Sequence, residues 1–387
     1  MYSFATITDA INLQCIKPGT RVLLRTSLNV PVAADGSIGD MFRLTRSLPT
    51  IKLLMEKKAK VIIVGYIGRQ GDTLRPVHAA LQTLLPDTKI SFFDGKIGDA
   101  RAVVDQLAEG ECVMLENIRR EKGEEDPVSA DGAQLVADLA ALADMFVDDA
   151  FAEAHRAYAS NCGVTSKLPS YAGLLFTEEV EKLSEALTPT GKSLAIIGGA
   201  KFETKEPLLI KLLDTYEAVL LGGALADDVL RARGNPVGSS LISGEPIPVS
   251  IASNSTLVVP TDVVVVEEGV SAERECTVND VRATEHIVDI GAATSRAWAE
   301  KISQAAFVLW NGPMGVYEQG FEDGTDALVE AISRSTCHAV IGGGDTAAAI
   351  AKFPLDPSRV FISTGGGAML QFLADGTLPA IDALSKK

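Results

Sequence analysis

Five arginines in the first half of the chain stand where a guanidinium could bind an anion. They follow short apolar runs and are Arg25, Arg43, Arg69, Arg119 and Arg156, with Asn29 close to the first. The planar fork of arginine matches phosphate and carboxylate oxygens, so several converging side chains can hold a multiply charged acid. Each one alone is better explained as a surface or ion-paired residue. Their recurrence after successive apolar runs predicts a site for a small anionic acid.

Glycines take the corresponding places in the second half of the chain. They occur in GGAKFETK from Gly198, GGALA from Gly222, NGPMGVYE from Asn311, GGGDTAAA from Gly342 and TGGGA from Thr364. Glycine lets backbone N–H groups approach phosphate oxygens, and a helix N-terminus adds partial positive charge. Tight strand-to-helix turns also need glycine without any ligand. The recurrence favours a nucleotide, with Lys201 and Lys205 supplying side-chain charge.

Two familiar nucleotide motifs fail on inspection. The triplet GKS from Gly191 resembles the end of a P-loop, but Ala186 occupies the position of its first glycine and the triplet precedes a strand. The segment GGGDTA from Gly342 fits a relaxed dinucleotide fingerprint, yet the next apolar run ends in Ser-Thr-Gly without an acidic residue for a ribose. The sequence therefore disfavours a dehydrogenase.

Continuous apolar, β-branched runs are the elements that must position these side chains. The runs begin at Arg21, Lys60, Cys112, Met145, Ser193, Ala218, Thr256, Phe307, His338 and Val360. Such runs are typical of strands buried on both faces of a parallel sheet. Helical patterns between them begin at Arg43, Gly132 and Gly324. The alternation predicts an α/β fold of doubly wound parallel sheets, whose ligands bind beyond the carboxyl ends of the strands.

A boundary between two domains is predicted near residues 165–190. The turn-rich segment from Leu168 leads into a charged helical pattern, residues 176–188, which we expect to be largely solvated and to bridge the domains. Each domain then has a length suited to one hydrophobic core.

Composition narrows the classes of partner. The chain has 387 residues and a net charge of −16, which disfavours binding to nucleic acid or to anionic membrane surfaces. It has neither a membrane-spanning apolar run nor a recognisable signal peptide. The five cysteines and four histidines are scattered, which favours reduced thiols without structural disulfides or zinc and a cytoplasmic location.

Taken in order, these segments resemble phosphoglycerate kinase from about Lys17 to Leu370. The most specific blocks are LENIRR, DAFAEAHRAYAS, GGAKFETK, VLWNGPMGVYE, IGGGDTAAA and ISTGGGA. The resemblance implies two doubly wound (Rossmann-like) parallel-sheet domains flanking a cleft and joined by a bridging helix. It implies an acid-binding domain (1–172), the interdomain helix (173–188), a nucleotide-binding domain (189–368) and a C-terminal tail (369–387) that packs back on the first domain.

The resemblance also implies the reaction. It is reversible transfer of a phosphoryl group between MgATP and the carboxylate of 3-phosphoglycerate, giving 1,3-bisphosphoglycerate in glycolysis and gluconeogenesis, by a monomer. The acceptor carboxylate is ionised at neutral pH, so the chemistry needs no general base. It needs alignment and neutralisation of charge by Arg43, Lys205 and Mg²⁺. Two substrates on separate domains also require the domains to close and exclude water.

Individual site residues follow from matching motifs. The acid site would include Ser27, Asn29, Arg43, Tyr66, Arg69, Arg119 and Arg156. The nucleotide site would include Lys201, Lys205, Gly223, Asn311, Glu318, Gly342, Gly343, Gly344, Asp345 and Thr346, with Gly365, Gly366 and Gly367 lining its phosphate end. Of these, Asp345 would meet the nucleotide-bound Mg²⁺, Glu318 the ribose and Lys205 the transferring phosphoryl group.

The chain departs from the family pattern at four positions. Ser27 replaces an aspartate that holds the acid's hydroxyl, and Tyr66 replaces a histidine near its carboxylate; Thr204 and Ala224 replace an aspartate and a glycine. Each change in the acid site costs roughly 1–3 kcal/mol if a hydrogen bond is weakened. Two alternatives therefore stay open beside phosphoglycerate kinase proper: a kinase of the same scaffold with another acid acceptor, and a non-catalytic nucleotide-binding relative. Retention of Arg43, Lys205 and Asp345 disfavours the second.

Overall fold

The computed structural model describes residues 4–199, 202, 205–244, 246–269, 272–343, 346, 349–350 and 352–385. Contacts between Cα atoms divide the chain into two units. The first unit consists of two segments, the chain up to Glu181 and the chain from Thr377 onward. The second unit is Lys182–Gly376.

A six-stranded parallel sheet forms the centre of the first unit. Its strands are β1 (Arg21–Thr26), β2 (Lys60–Val64), β3 (Ile90–Phe93), β4 (Cys112–Leu115), β5 (Met145–Asp149) and β6 (Ser170–Ala172). They lie in the order β3-β4-β2-β1-β5-β6, with β1 paired in parallel to both β2 and β5. Strands β2 to β4 therefore lie on one side of β1, and β5 and β6 lie on the other. This change in strand order falls between β1 and β5, and open α/β sheets bind ligands at such a point.

Both faces of this sheet are covered. Side chains alternate between two hydrophobic clusters: Val22 and Leu24 belong to one, and Leu23 between them belongs to the other. Along β2, Val61 and Ile63 belong to the first cluster, and Ile62 between them belongs to the second. Successive side chains of a strand point to opposite faces, so an uninterrupted apolar run is the expected sequence of such a strand.

The second unit contains two sheets. Its strands are β7 (Ser193–Ile197), β8 (Ala218–Leu221), β9 (Leu257–Val258), β10 (Asp262–Glu267), β11 (Glu273–Thr277), β12 (Glu285–Ile290), β13 (Phe307–Asn311), β14 (His338–Gly342) and β15 (Val360–Ile362). The larger sheet is parallel, in the order β15-β14-β13-β7-β8-β9, and its direction reverses between β7 and β13. The smaller one is antiparallel, in the order β11-β10-β12.

In the described part of the chain, α-helices connect most successive strands of the two parallel sheets. The described α-helices are α1 (Ile7–Asn12), α2 (Phe42–Glu56), α3 (Arg75–Leu84), α4 (Arg101–Gln106), α5 (Ala130–Leu142), α6 (Leu174–Leu187), α7 (Glu206–Thr215), α8 (Ala224–Ala232), α9 (Val249–Ala252), α10 (Ala292–Ser303), α11 (Asp323–Arg334), α12 (Gly367–Asp375) and α13 (Pro379–Ser385). The predicted fold class, two doubly wound parallel-sheet domains, is confirmed.

Two local predictions were wrong. The run from Thr256 is not one strand of the parallel sheet, because Pro260 separates β9 from β10 and β10 joins the antiparallel sheet. The helix α6 is not largely solvated. Phe176, Glu179 and Leu183 on one of its faces are buried, and the ring of Phe176 packs edge-on against Phe151. The charged residues of this segment made its mostly apolar buried face difficult to recognise from the sequence.

The end of the described chain lies in the first unit. Helix α13 is anchored there by a hydrogen bond from the backbone N of Ala380 to the carbonyl of Ala154, at 3.1 Å. Helix α6 contains the point at which the chain passes from the first unit to the second. No helix in the described ranges is both long and apolar enough to cross a bilayer.

Candidate functional site

The carboxyl ends of β1 and β5 meet at a buried hydroxyl–carboxylate pair. Ser27, just after β1, donates its hydroxyl to the Oε2 atom of Glu153 at 2.7 Å. Glu153 follows β5, and both side chains are buried. Because the O–H of Ser27 is engaged as a hydrogen-bond donor to Glu153, only the lone pairs of the Ser27 oxygen remain available to a ligand. A carboxylate therefore does lie beside position 27, supplied by a different element.

A neighbouring loop, the segment between β2 and α3, is organised by Asn117. The carboxamide nitrogen of Asn117 donates to the carbonyls of Ile67, Arg69 and Asp72 at 2.8, 3.0 and 2.9 Å. Asn117 is 1% exposed and follows β4. One buried side chain thus sets the backbone that presents Gly68 and Arg69 beyond the strand ends.

Asn29 and Arg43 join this loop to the end of β1. The Oδ1 atom of Asn29 accepts from the backbone N of Gly68 at 2.9 Å, and Arg43, in the first turn of α2, donates to the Asn29 carbonyl at 2.7 Å. The three residues line a cavity of about 590 Å³. Only one of the guanidinium N–H groups of Arg43 is used in this bond, which leaves others for an anion.

Arg119 lies over the face of Tyr66. Its guanidinium carbon is 3.8 Å from the ring centroid, within the range of a cation–π interaction. Arg119 also donates to the carbonyl of Gly68, while Tyr66 is buried and burial raises the pKa of its phenol. The tyrosine is thus a platform that fixes the plane of an arginine.

Tyr158 connects Arg119 with Arg156. Its hydroxyl oxygen accepts from Arg156 Nη1 at 2.7 Å and lies 3.5 Å from Arg119 Nη2. The side chains of Arg43, Arg119 and Arg156 therefore belong to one chain of shared partners through Asn29, Gly68 and Tyr158. Such a network orients several guanidinium groups at once.

The remaining two arginines of the series differ from each other. Arg69 is exposed, and its guanidinium makes no hydrogen bond or ion pair within the described part of the chain. It lines a cavity of about 640 Å³ together with Arg119. Arg25, by contrast, is fully buried and donates to Ser160 Oγ and to the Thr26 carbonyl. Its environment makes it a packing residue beneath the site, contrary to the expectation for the series.

In the second unit, Lys205 stands at the start of α7 with its amine buried. The amine donates to the carbonyl of Gly198, just beyond β7, and the side chain is 8% exposed. Burial lowers the pKa of Lys205 to about 8. A Cβ atom on Gly199 would lie 2.7 Å from the Lys205 amine, so only a glycine fits there without displacing the lysine. An amine in this place is poised to gain an anionic partner.

A cavity of about 450 Å³ lies beside these residues in the same unit. Its walls include Gly199, Gly223, Ala224, Pro313 and Glu318. Helix α8 begins directly after Gly223, which has a φ of +62°, and its first turn forms part of the wall. Glu318 is exposed and borders the cavity from the turn after β13.

The ends of β13, β14 and β15 carry the other predicted nucleotide residues. Asn311 ends β13 and Gly342 ends β14, with Gly343 directly after it at a φ of +108°. The buried hydroxyl of Thr346 accepts from the backbone N of Gly312 at 3.1 Å, which ties two strand ends together. The glycines after β15 lead into α12, which begins at Gly367 after Gly366 with a φ of +49°. Gly365 donates its backbone N–H to Ser363.

Part of the predicted nucleotide site lies outside the described residues. These positions are Lys201, Gly344 and Asp345. Their predicted roles, including contact of Asp345 with Mg²⁺, stay predictions.

Some glycines are explained by packing of the chain against itself. A Cβ atom on Gly198 would lie 1.9 Å from the carbonyl oxygen of Pro313, and one on Gly312 would lie 2.6 Å from the carbonyl oxygen of Gly198. The ends of β7 and β13 thus approach more closely than any side chain permits. This contact accounts for these two glycines without a ligand.

Three side chains of the candidate site were not predicted from the sequence. Asn117 and Tyr158 lie inside the blocks LENIRR and DAFAEAHRAYAS, so position within a dense motif was the available signal. Glu153 lies in the second block too, but its pairing with Ser27 spans 126 residues of sequence. No local pattern reveals a pairing over such a separation.

Comparisons with known proteins agree with one another. The family model described as phosphoglycerate kinase matches residues 14–376. A phosphoglycerate kinase of Coxiella burnetii is 38% identical over 388 residues, covering 95% of this chain and 96% of the relative. One from Haemophilus influenzae is 39% identical over 378 residues, with the same coverage.

Solved structures give the same result. The structure of phosphoglycerate kinase from Coxiella burnetii has a TM-score of 0.82 at 35% identity and covers 99% of both chains. The crystal structure of the enzyme from Pyrococcus horikoshii OT3 has a TM-score of 0.86 at 29% identity and covers 98% of both chains. The similarity therefore extends over nearly the whole length of this chain.

Proposed function

The chain belongs to the phosphoglycerate kinase family, and from this premise we propose how its residues move a phosphoryl group between ATP and the carboxylate of 3-phosphoglycerate. It is an ATP-dependent kinase with a carboxylate acceptor. The acid binds beyond the strand ends of the first unit, and the nucleotide binds beyond those of the second.

The network of three arginines in the first unit carries the proposal. Arg43, Arg119 and Arg156 are linked through shared hydrogen-bond partners at one edge of the sheet, and Arg69 is exposed nearby. A substrate with a phosphate and a carboxylate presents several anionic oxygens, which planar forks bind with defined geometry. In a chain of net charge −16, a cluster of this kind has a specific anion to hold.

Ser27 positions the hydroxyl of the acid. Its oxygen accepts a hydrogen bond from that hydroxyl while its own O–H donates to Glu153. Asn29 and Tyr66 complete the acid site, Tyr66 by holding the plane of Arg119. The serine and tyrosine are then working replacements for the residues usual in the family.

The nucleotide occupies the cavity of the second unit. Gly223 and the first turn of α8 form its wall, and Glu318 at its border accepts from the ribose hydroxyls. Asn311, Gly342 to Gly344, Thr346 and Gly365 to Gly367 line the phosphate end, with Lys201 adding charge. Asp345 would hold the Mg²⁺ that accompanies the nucleotide, and the metal would neutralise charge on the phosphate oxygens.

Phosphoryl transfer needs alignment and charge neutralisation. The acceptor carboxylate is already ionised and attacks the γ-phosphorus of ATP without a general base, while the bond from the γ-phosphorus to the bridging oxygen breaks and ADP leaves with that oxygen. Arg43 and Lys205 stabilise the charge spread over the moving phosphoryl oxygens. Because the two substrates bind to separate units, a closing motion precedes transfer and excludes water.

A coupled assay tests this function. Wild-type protein is incubated with MgATP and 3-phosphoglycerate, and the acyl phosphate formed is reduced by an added dehydrogenase. We expect turnover at roughly 1–100 s⁻¹ or faster, as is usual for kinases. Parallel reactions with glycerate and 2-phosphoglycerate test the acceptor. If another acid is preferred, the kinase uses this scaffold for a different substrate; MgADP binding without turnover of any acid would contradict catalysis altogether.

We also propose that the enzyme acts as a cytoplasmic monomer. The five cysteines are free thiols, and Cys112 and Cys337 are buried, which suits a reducing compartment. Each unit has its own hydrophobic clusters and needs no second copy to cover them. Sedimentation at micromolar concentration should give a single species with the mass of one chain, 40.8 kDa.

A further inference from the structure

The cavity of the second unit contains a buried carboxyl group that phosphoryl transfer does not use. Asp227 lies in the first turn of α8, lines the cavity and is 3% exposed. Its Oδ1 atom has no hydrogen-bond partner among the residues that the structure describes. A buried polar atom without a partner is unfavourable, so an occupant of the cavity that pairs with it would be stabilised there.

The rest of the cavity is suited to an apolar part of a ligand. Its wall is largely apolar and includes Pro260, Val263, Ile287, Val288, Ile290 and Met314. Sites for small ligands combine such walls with a few polar groups that fix orientation. The nucleobase is the part of a nucleotide that fits this description.

A second buried carboxyl group in the wall offers a comparison. Asp289 is also buried, but both of its oxygens are occupied: Oδ1 accepts from the backbone N of Ile290 at 2.8 Å and Oδ2 from that of Gly324 at 2.9 Å. Asp289 is thus fully engaged in holding the chain. Asp227 differs from it in keeping an open oxygen.

The protonation of Asp227 defines what it can recognise. Burial, and secondly the adjacent Asp228, raise the pKa of Asp227 well above its ordinary value. A protonated carboxyl group has one O–H donor and one carbonyl acceptor. An amino group beside a ring nitrogen presents the complementary acceptor and donor.

We propose that Asp227 reads the base of the nucleotide, accepting from the exocyclic amino group of adenine and donating to the adjacent ring nitrogen. The inference rests on the proposed function in taking this cavity as the nucleotide site. It adds a side chain that determines base specificity to a wall in which Glu318 is proposed to bind the ribose.

Calorimetric binding of two nucleotides tests the inference. The probes are MgADP and the magnesium complex of purine riboside 5′-diphosphate, which lacks the amino group. Wild-type protein should bind MgADP about 10-fold more tightly, because the missing amine leaves an acceptor unpaired. Asp227→Leu should abolish that preference, and Asp227→Asn should keep it, since an amide offers the same donor and acceptor.

Asp228→Asn is the matched control. Asp228 is the next buried carboxyl of α8, its Oδ1 accepts from the backbone N of Ser243 at 2.8 Å, and it is not part of the cavity wall. This variant should retain the preference for MgADP. Equal binding of both probes by the wild type, or an equal loss for both in Asp227→Leu, would overturn the inference and leave the proposed function standing. Failure of the wild type to bind MgADP would overturn both.

Discussion

A lysine amine held away from water is an unusual ligand for phosphate, because burial disfavours its charged form. Lys205 shows the effect, since burial lowers its pKa to about 8. Near neutral pH the amine is still mostly protonated, and an arriving phosphoryl group supplies the anion that stabilises the charge. The side chain is fixed by Gly198 before the ligand arrives, so little reorganisation is required.

The affinity for nucleotide should consequently depend on pH. As pH rises through about 8, Lys205 of the unliganded protein loses its proton and with it the attraction for phosphate. The Kd of MgADP should then rise about 10-fold for each further pH unit, until the pH at which Lys205 also loses its proton in the complex. Titration calorimetry between pH 7 and 9.5 measures this. In Lys205→Arg, which stays charged, the Kd should be nearly flat over the same range. Parallel pH profiles for the two proteins would contradict the assignment.

The substitution Tyr158→Phe tests the arginine network by removing a single oxygen atom. Tyr158→Phe removes the hydroxyl that Arg156 and Arg119 share and keeps the buried ring. The KM for 3-phosphoglycerate should rise about 10-fold, since charge-assisted hydrogen bonds contribute about 1.5–3 kcal/mol. The Kd of MgADP is the internal control and should not change. An unaltered KM would mean that the two arginines are held by other contacts.

Among the elements, the loops beyond the strand ends depend on a few buried side chains. The segment from Gly65 to Thr73 contains no helix or strand, and Asn117 satisfies three of its carbonyls. Glu116 adds bonds to the Thr73 hydroxyl and the Leu74 backbone N at 2.7 and 2.8 Å. The sheet is a rigid frame, and these side chains transmit its geometry to the acid site.

Asn117→Ala should therefore affect stability and acid binding together. We expect a loss of about 3 kcal/mol in the free energy of unfolding of the first unit, because several buried carbonyls lose their donor. Denaturant unfolding and the KM for 3-phosphoglycerate measure the two effects. Asn235→Ala, which removes one exposed hydrogen bond to Asn279 in the second unit, should change neither. A destabilised protein with a normal KM for 3-phosphoglycerate would show that the loop does not contribute to acid binding.

The same elements explain how far the sequence could be used. Period and composition reveal strands such as β1 and β13, because a strand buried on both faces must be apolar throughout. They do not reveal that Pro260 diverts the chain into a second sheet, or that α6 buries Phe176 and Glu179, since tertiary contacts decide both. The pairing of Ser27 with Glu153 joins two elements that meet only after folding.

On the scale of the whole molecule, charge is divided unevenly. The chain is strongly acidic, yet the acid site of the first unit collects arginines, and the cavity of the second unit has an apolar wall with Lys205 nearby. Repulsion between the net charge and an anionic substrate is screened over about 8 Å at physiological ionic strength, whereas direct contacts are screened much less. We therefore expect these local clusters to outweigh the net charge in the proposed binding of phosphorylated acids and nucleotides.

Turnover by Arg43→Ala compared with Arg46→Ala tests the central claim most directly. Both residues lie on α2, but Arg46 forms an ion pair with Glu178 at 2.8 Å, whereas Arg43 reaches the acid site through Asn29. With saturating MgATP and 3-phosphoglycerate, Arg43→Ala should lower kcat by roughly 100-fold or more, since it removes a group that stabilises the moving phosphoryl charge. Arg46→Ala should stay within about threefold of wild type. Equal activity of the two variants would contradict phosphoryl transfer at this site.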